Sequence, residues 1–404
     1  MNPDDEDNPL WAACCSEWGK GSGFKERVLL HLRGWSHLQT RLDAHERTDA
    51  MSLIPFLEEI ARPAQAPRFT LHVRNLRALR DALWTPEPLS VLIGANGAGK
   101  TTLLQTLTFL RLAYERGLPE AVKIVFGGSG NLKSWGALPE EPVEIGLDLG
   151  EASWRIELLV DGPTLATLTN ERFTVGARAI FSRDVLGNFT YGEERLDPSP
   201  LTGLRALMDR GVNEPWLRRV KSLLQSTAVY REPDLWTLRE QGSRSTDNGQ
   251  LHPRGTNALT LLRGWSQERA HRDRYQFVVE GLEANGVLQL LVLFCEVAAA
   301  EDESVVAIDE PENGLHPYAL RRFLSRTSRW AKQHNVTVLL ATHSTVLLDE
   351  LSPHPEQVFV MKAAEEGEPV PTRLDKLCDP RWLAGFKLGD LYEQGEIGSN
   401  EDEA

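Results

Sequence analysis

One run of eight residues restricts the possible folds more than any other part of the chain. Gly94-Ala-Asn-Gly-Ala-Gly99-Lys100-Thr101 fits the pattern G-x-x-x-x-G-K-[ST]. It follows an apolar stretch, Leu89–Ile93. It opens a segment, Thr101–Arg116, in which Leu103, Leu104, Leu107, Leu110 and Leu112 recur at helical spacing. A strand, a glycine-rich turn and a helix in that order make a phosphate cradle. The glycines let backbone N–H groups converge on phosphate oxygens, and the helix N-terminus adds its positive end. Asn96, Gly97, Ala98, Gly99, Lys100, Thr101 and Thr102 are therefore the candidate nucleotide-binding residues. Lys100 is placed to neutralise β- and γ-phosphate charge, and the Thr101 hydroxyl to ligate Mg²⁺ beside ATP.

A second motif supplies what the cradle lacks. Ser304-Val-Val-Ala-Ile-Asp309-Glu310-Pro-Glu-Asn-Gly-Leu-His316-Pro317 is an apolar strand that ends in two carboxylates. Asp309 is the candidate metal ligand alongside Thr101, and Glu310, one residue on, is positioned to polarise an attacking water. The next apolar strand closes in Ala341-Thr-His343-Ser344, 33 residues after Glu310. That spacing makes His343 a candidate contact for the γ-phosphate. Glu310 and His343 are thus the two candidate catalytic side chains.

Around these motifs the chain divides into five stretches. Residues 1–66 read as an N-terminal extension ending in the linker Arg62-Pro-Ala-Gln-Ala-Pro67, with short helices at Val28–Leu32 and Ser52–Ala61 and with Met51 as a candidate start. Residues 67–200 hold strands at Phe69–Val73 and Leu89–Ile93. An antiparallel meander follows, from the alternation of Val143, Ile145, Leu147 and Leu149 through Trp154–Val160, a turn at Asp161-Gly162, and Thr164–Leu168. Residues 201–275 read as a helical insertion broken by a polar loop over 240–256. Residues 276–398 alternate helix and strand, with strands at Val305–Ile308, Val336–Ala341 and Val358–Met361, the mark of a parallel sheet with crossover helices. Residues 399–404 are an acidic tail.

Together the motifs resemble those of ABC-type P-loop ATPases of the RecF/SMC-like and OLD-like group, and within it the bacterial ATPases labelled AAA_21 or AAA_15. The resemblance covers roughly 67–398 and includes Arg254-Gly-Thr-Asn257-Ala-Leu259 and the ending Phe386-Lys-Leu-Gly-Asp-Leu-Tyr-Glu-Gln-Gly-Glu-Ile-Gly398. It implies an α/β fold, a P-loop NTPase of the ABC-ATPase head type, with an antiparallel β lobe and an inserted helical segment. It also implies a homodimer that sandwiches ATP, each P-loop completed by the signature helix of the partner chain. Leu282-Glu-Ala284-Asn285-Gly286-Val-Leu-Gln289, with Gly286 lying 23 residues before Asp309, is the candidate for that helix start. Gly286 is then the nucleotide-binding residue offered to the other copy. The chain departs from the group in carrying Ala284 where a serine is expected, and in having no glutamine between Gln105 and Gln225.

Charge bears on partners. The net charge is −14, so any nucleic acid must meet a local basic patch. The 205–275 segment supplies one, with Arg218, Arg219 and Lys221 near Trp216, and Arg263, Arg269, Arg272 and Arg274 near Trp265. A phosphate-tracking surface and a solvated helix face are equally consistent with it. Four cysteines without CxxC spacing, an acidic start and no apolar stretch long enough to span a bilayer predict a cytoplasmic protein. The resemblance implies ATP-driven dimerisation in DNA maintenance or phage defence. The 61 residues after His343 leave no room for a nuclease domain, so cutting falls to a separate effector. An ATP-sensing switch without turnover and the ATP-binding subunit of a transporter are the alternatives.

Overall fold

Leu89–Gly94, Val305–Asp309 and Thr337–Ala341 are apolar at almost every position, as strands must be when both faces of a sheet are covered. They form the centre of a six-stranded sheet in the computed structural model. It describes residues 69–138, 140–160, 168–184, 188–196, 201–244, 250–282, 288–362 and 370–398. The strands are β1 (Thr70–Leu76), β2 (Leu79–Trp84), β3 (Leu89–Gly94), β4 (Val143–Leu149), β5 (Ala152–Leu158), β6 (Leu168–Val175), β7 (Arg178–Arg183), β8 (Phe189–Tyr191), β9 (Glu194–Leu196), β10 (Thr227–Tyr230), β11 (Val305–Asp309), β12 (Thr337–Ala341), β13 (Val358–Met361) and β14 (Thr372–Arg373). The helices used below are α1 (Lys100–Arg116), α2 (Pro215–Ser226), α3 (Ala258–Gln267), α4 (Leu288–Ala298), α5 (Pro317–His334), α6 (Thr345–Glu350) and α7 (Leu388–Glu393).

The six-stranded sheet runs β10-β11-β12-β3-β13-β14, parallel except for β14. The eight-stranded sheet runs β2-β1-β4-β5-β6-β7-β8-β9 and is antiparallel throughout. Alternate residues of the parallel strands enter different cores. Leu92, Val305, Ala307, Leu339 and Ala341 join α1 and the antiparallel sheet. Val91, Ile93, Val306, Ile308, Val338 and Leu340 join the core under α4, α5 and α6. This is an α/β fold, a parallel sheet with helices on both faces carrying an antiparallel lobe.

The 201–275 stretch departs from a purely helical insertion. Thr227–Tyr230 within it pairs in parallel with β11, Tyr230 level with Ile308, and so forms the edge of the parallel sheet. Four residues between two helices carry too little alternation to be read as a strand. Strands β6 to β9 extend the meander beyond the expected strands, and β2 hairpins onto β1. The turn at Asp161-Gly162, the helices expected at Val28–Leu32 and Ser52–Ala61, and the acidic tail lie outside the described residues. Among the described residues no helix is long and apolar enough to cross a membrane.

Candidate functional site

The carboxyl ends of β3, β11 and β12 converge, which is where open parallel sheets place their ligands. β3 ends at Gly94, whose φ is 145°, and a Cβ there would run into the Met361 carbonyl oxygen. The loop turns through Gly97 (φ 80°) and Gly99 (φ 98°) before α1 begins at Lys100. Asn96 and Gly97 are exposed at its tip, Ala98 is half-buried, and Lys100 and Thr102 are buried. The Lys100 ammonium donates to the carbonyls of Gly94 at 2.7 Å and Ala95 at 3.1 Å. Burial pushes its pKa down to about 8, against the pull of Asp309, Glu310 and Glu312.

Thr101 Oγ1 donates to Asp309 Oδ2 at 2.8 Å, joining residues 208 apart in the chain. The Asp309 carboxylate is only 8% exposed. Burial raises its pKa, and the Thr101 hydrogen bond and the charge of Arg231 oppose that rise. Arg231 Nε lies 3.3 Å from the same oxygen. A hydroxyl and a carboxylate oxygen side by side suit Mg²⁺, which takes one or two protein oxygens and fills its shell with phosphate and water.

Glu310 adopts φ 53°, a left-handed backbone rare outside glycine. Its N–H donates to Ala341 O at 2.8 Å, and its Oε2 accepts from Asn313 Nδ2 at 2.8 Å. The side chain is exposed, beside the more buried Asp309. Glu312 is tied in differently: Oε1 accepts the His343 N–H at 2.8 Å, and Oε2 is buried without a hydrogen-bond partner among the described residues.

The His343 ring is anchored by Tyr392. The phenol donates to Gly94 O at 3.2 Å, and His343 Nδ1 is 2.9 Å from the phenol oxygen. The phenol engages Nδ1, and Nε2 remains for another partner. Burial and the charge of Lys100 hold the His343 pKa below its usual value. Tyr392 lies in α7, and Gly398 packs against both its ring and Gly94: a Cβ at Gly398 would sit 2.8 Å from the ring and 3.6 Å from Gly94 Cα. The terminal run from Leu388 to Gly398 is therefore part of the site wall.

The structure thus brings together Lys100, Thr101, Asp309, Glu310 and His343. Residues 283–287, Ala284 and Gly286 among them, lie outside the described residues. Gln289, just beyond, donates through Nε2 to Asn313 O in the turn after Glu310. Asn257 is buried and holds its own loop, donating to Gln250 O and accepting from the His252 N–H, both at 2.8 Å. In the basic stretch, Arg218 and Arg219 are exposed, but Trp265 is buried, and the Trp216 ring packs 4.7 Å from that of Phe173.

Arg231, Glu312 and Tyr392 were not legible as site residues. Arg231 follows a strand too short to recognise, and Tyr392 belongs to a terminal motif whose place beside Gly94 only the fold reveals.

Residues 89–134 and 137–349, more than half of the chain, match the model of the AAA_21 family, described as "AAA domain, putative AbiEii toxin, Type IV TA system". The matched stretches hold the glycine loop, Asp309, Glu310 and His343. The energy-coupling factor transporter ATP-binding protein EcfA2 of Enterococcus faecalis is 32% identical over 109 residues, 26% of this chain and 35% of that protein. The chain therefore spans about a third of that relative's length. Two solved structures overlap 70% of this chain and 92% of their own, each with a TM-score of 0.35. They are the SMC head bound to the C-winged helix domain of ScpA, 10% identical, and the SMC head domain from Thermotoga maritima, 13% identical.

Proposed function

The chain belongs to the AAA_21 family, an ATP-binding ATPase family, and from that premise we propose that it binds and hydrolyses ATP with Mg²⁺ and uses the nucleotide to join two copies of itself. The hydrogen bond between Thr101 and Asp309 carries this reading, because it sets the loop hydroxyl and the strand-end carboxylate on one metal-sized spot. The loop amides and the α1 N-terminus receive the phosphates, and Lys100 leaves its loop carbonyls for β- and γ-oxygens. Thr101 and Asp309 would hold Mg²⁺, which would supply positive charge against the negative charge that develops during transfer. Glu310 accepts the proton of the attacking water, and His343, held through Nδ1, offers Nε2 towards the γ-phosphate. Gly286 of the second copy closes the other side.

Two measurements test the site. Lys100→Ala is expected to abolish or severely weaken ATP binding in a direct titration, since charge-assisted contacts contribute roughly 1.5–3 kcal/mol each. Glu310→Gln is expected to keep binding and to lower phosphate release by ~10²-fold or more. Unchanged affinity in the first, or unchanged turnover in the second, removes that residue from its role. For the dimer, Gly286→Asp should block ATP-dependent association in sedimentation while sparing ATP binding.

The biological setting we propose is DNA maintenance or defence against phage, with a separate effector such as a nuclease. The family description, with its mention of AbiEii and a type IV toxin–antitoxin system, supports the defence side. Phage plating on hosts carrying the wild-type gene or Lys100→Ala tests it, and equal plating excludes it. Ala284 in the signature-like stretch favours a second reading, a switch that holds ATP without turning it over. Absence of phosphate release from a chain that binds ATP would establish that reading.

A further inference from the structure

Arg231 stands at the carboxyl end of β10, immediately after Tyr230, and β10 is the strand next to β11. The register Tyr230↔Ile308 brings Arg231 level with Asp309, and the strand order sets it on the far side of Asp309 from the loop strand β3. Its Nε lies 3.3 Å from Asp309 Oδ2, the oxygen that also accepts the Thr101 hydroxyl. The arginine side chain is 50% exposed and the aspartate 8%, so the guanidinium lies at the mouth and the carboxylate behind it.

Two facts argue against a mere counter-ion. A guanidinium has five N–H donors in a fixed fork, a geometry matched to phosphate oxygens. Among the described residues only Nε finds a partner, which leaves the four terminal N–H groups free. Moreover, the carboxylate it touches is the one assigned to Mg²⁺. With Mg²⁺ on Asp309 that pairing would weaken, and the fork would be released to meet a phosphate oxygen.

We propose that Arg231 is a nucleotide-binding residue that reads the γ-phosphate from within the same chain. It distinguishes nucleoside triphosphate from diphosphate without any contribution from a second copy. This rests on the nucleotide reading above and adds to it the origin of the preference for the triphosphate.

The test is direct titration with the β,γ-imido analogue of ATP and with ADP. It is run in Mg²⁺, at protein concentrations where sedimentation shows a monomer, on wild type, Arg231→Ala, Arg231→Gln and Arg231→Lys. Arg231→Ala and Arg231→Gln are expected to weaken the imido analogue by about tenfold or more and to change ADP by less than about twofold. Arg231→Lys is expected to recover part of the loss, because it restores the charge without the fork. Thermal melts of each variant confirm folding, and Arg231→Gln, the most conservative change, decides the matter if Arg231→Ala does not fold. Equal loss for both nucleotides, or no loss for either, overturns the inference and leaves Arg231 as a partner of Asp309. A wild-type chain that takes neither nucleotide overturns the nucleotide reading itself, and this inference with it.

Discussion

His343 and Tyr392 share a 2.9 Å hydrogen bond across 49 residues of sequence, and the same phenol reaches back to the carbonyl of Gly94. One hydroxyl thus ties the end of β12 to the start of the glycine loop. Tyr392→Phe keeps the ring that packs against Gly398 and removes only this tie. Turnover is expected to fall by about threefold to tenfold, with a smaller change in ATP affinity and a stability loss of about 1 kcal/mol. A double-mutant cycle with His343→Ala checks it, since groups that work through one contact are non-additive. Fully additive losses would show that the phenol does not act through His343.

Lys100 makes ATP affinity depend on pH. Its ammonium is the form that binds phosphate, and burial has lowered its pKa to about 8. Below that pH the charge is present and affinity is expected to stay level. As the pH rises through about 8 the free protein loses the proton, and affinity should weaken towards tenfold per further unit. Lys100→Arg, which does not titrate in this range, should flatten the profile. Titrations between pH 7 and 9.5 decide it.

Glu310, like Arg77 and Glu303, is a non-glycine residue held at positive φ. A non-glycine residue in the left-handed region costs roughly 1–2 kcal/mol. Glycine there regains that amount less the extra entropy of its unfolded chain, about 0.5–1 kcal/mol. Glu310→Gly is therefore expected to raise the denaturant midpoint slightly while removing hydrolysis. A lower midpoint would mean that the carboxylate stabilises the fold as well.

Glu296, in the last turn of α4, is buried, and its Oε2 has no hydrogen-bond partner among the described residues. Burial raises its pKa well above 4.5. The folded state keeps a proton that the unfolded chain releases, so stability falls as the pH rises from about 4.5 towards the folded pKa. Glu296→Met, of similar volume, should gain about 1–3 kcal/mol at pH 7.5 and much less at pH 4.5. Denaturant melts at the two values test this. A gain independent of pH would point to packing instead.

In the basic stretch Trp265 is buried and Trp216 packs on Phe173, so neither of the rings noted beside the arginines is free to stack on a base. Duplex binding is accordingly expected to be insensitive to sequence, with a log–log salt slope of about −0.9 per phosphate contacted. Charge reversal of Arg218, Arg219 and Lys221 should flatten the slope. No binding, or binding indifferent to salt, would leave the face a solvated one.

The glycine loop, Asp309, Glu310 and His343 were legible because each follows an apolar strand and carries a side chain that few other contexts require. The parallel strands announced themselves by continuous apolar runs. What the sequence did not reveal is what the tertiary fold alone creates. Arg231 matters through the register of a four-residue strand, and Tyr392 through the return of α7 to Gly94. Trp265, noted for its neighbouring arginines, proved to be core, because α3 turns its apolar stripe inward.

The alternation along β11 gives Asp309 an unusual mechanical setting. Val305 and Ala307 are gripped by the interior that holds the antiparallel sheet, and Val306 and Ile308 by the interior that holds α4 and α5. Both faces of this five-residue strand are therefore held, and the strand ends at the carboxylate that Thr101 touches. Asp309 thus sits at the end of a strand that two cores clamp from opposite faces, and its carboxylate has little room to shift unless one of them yields.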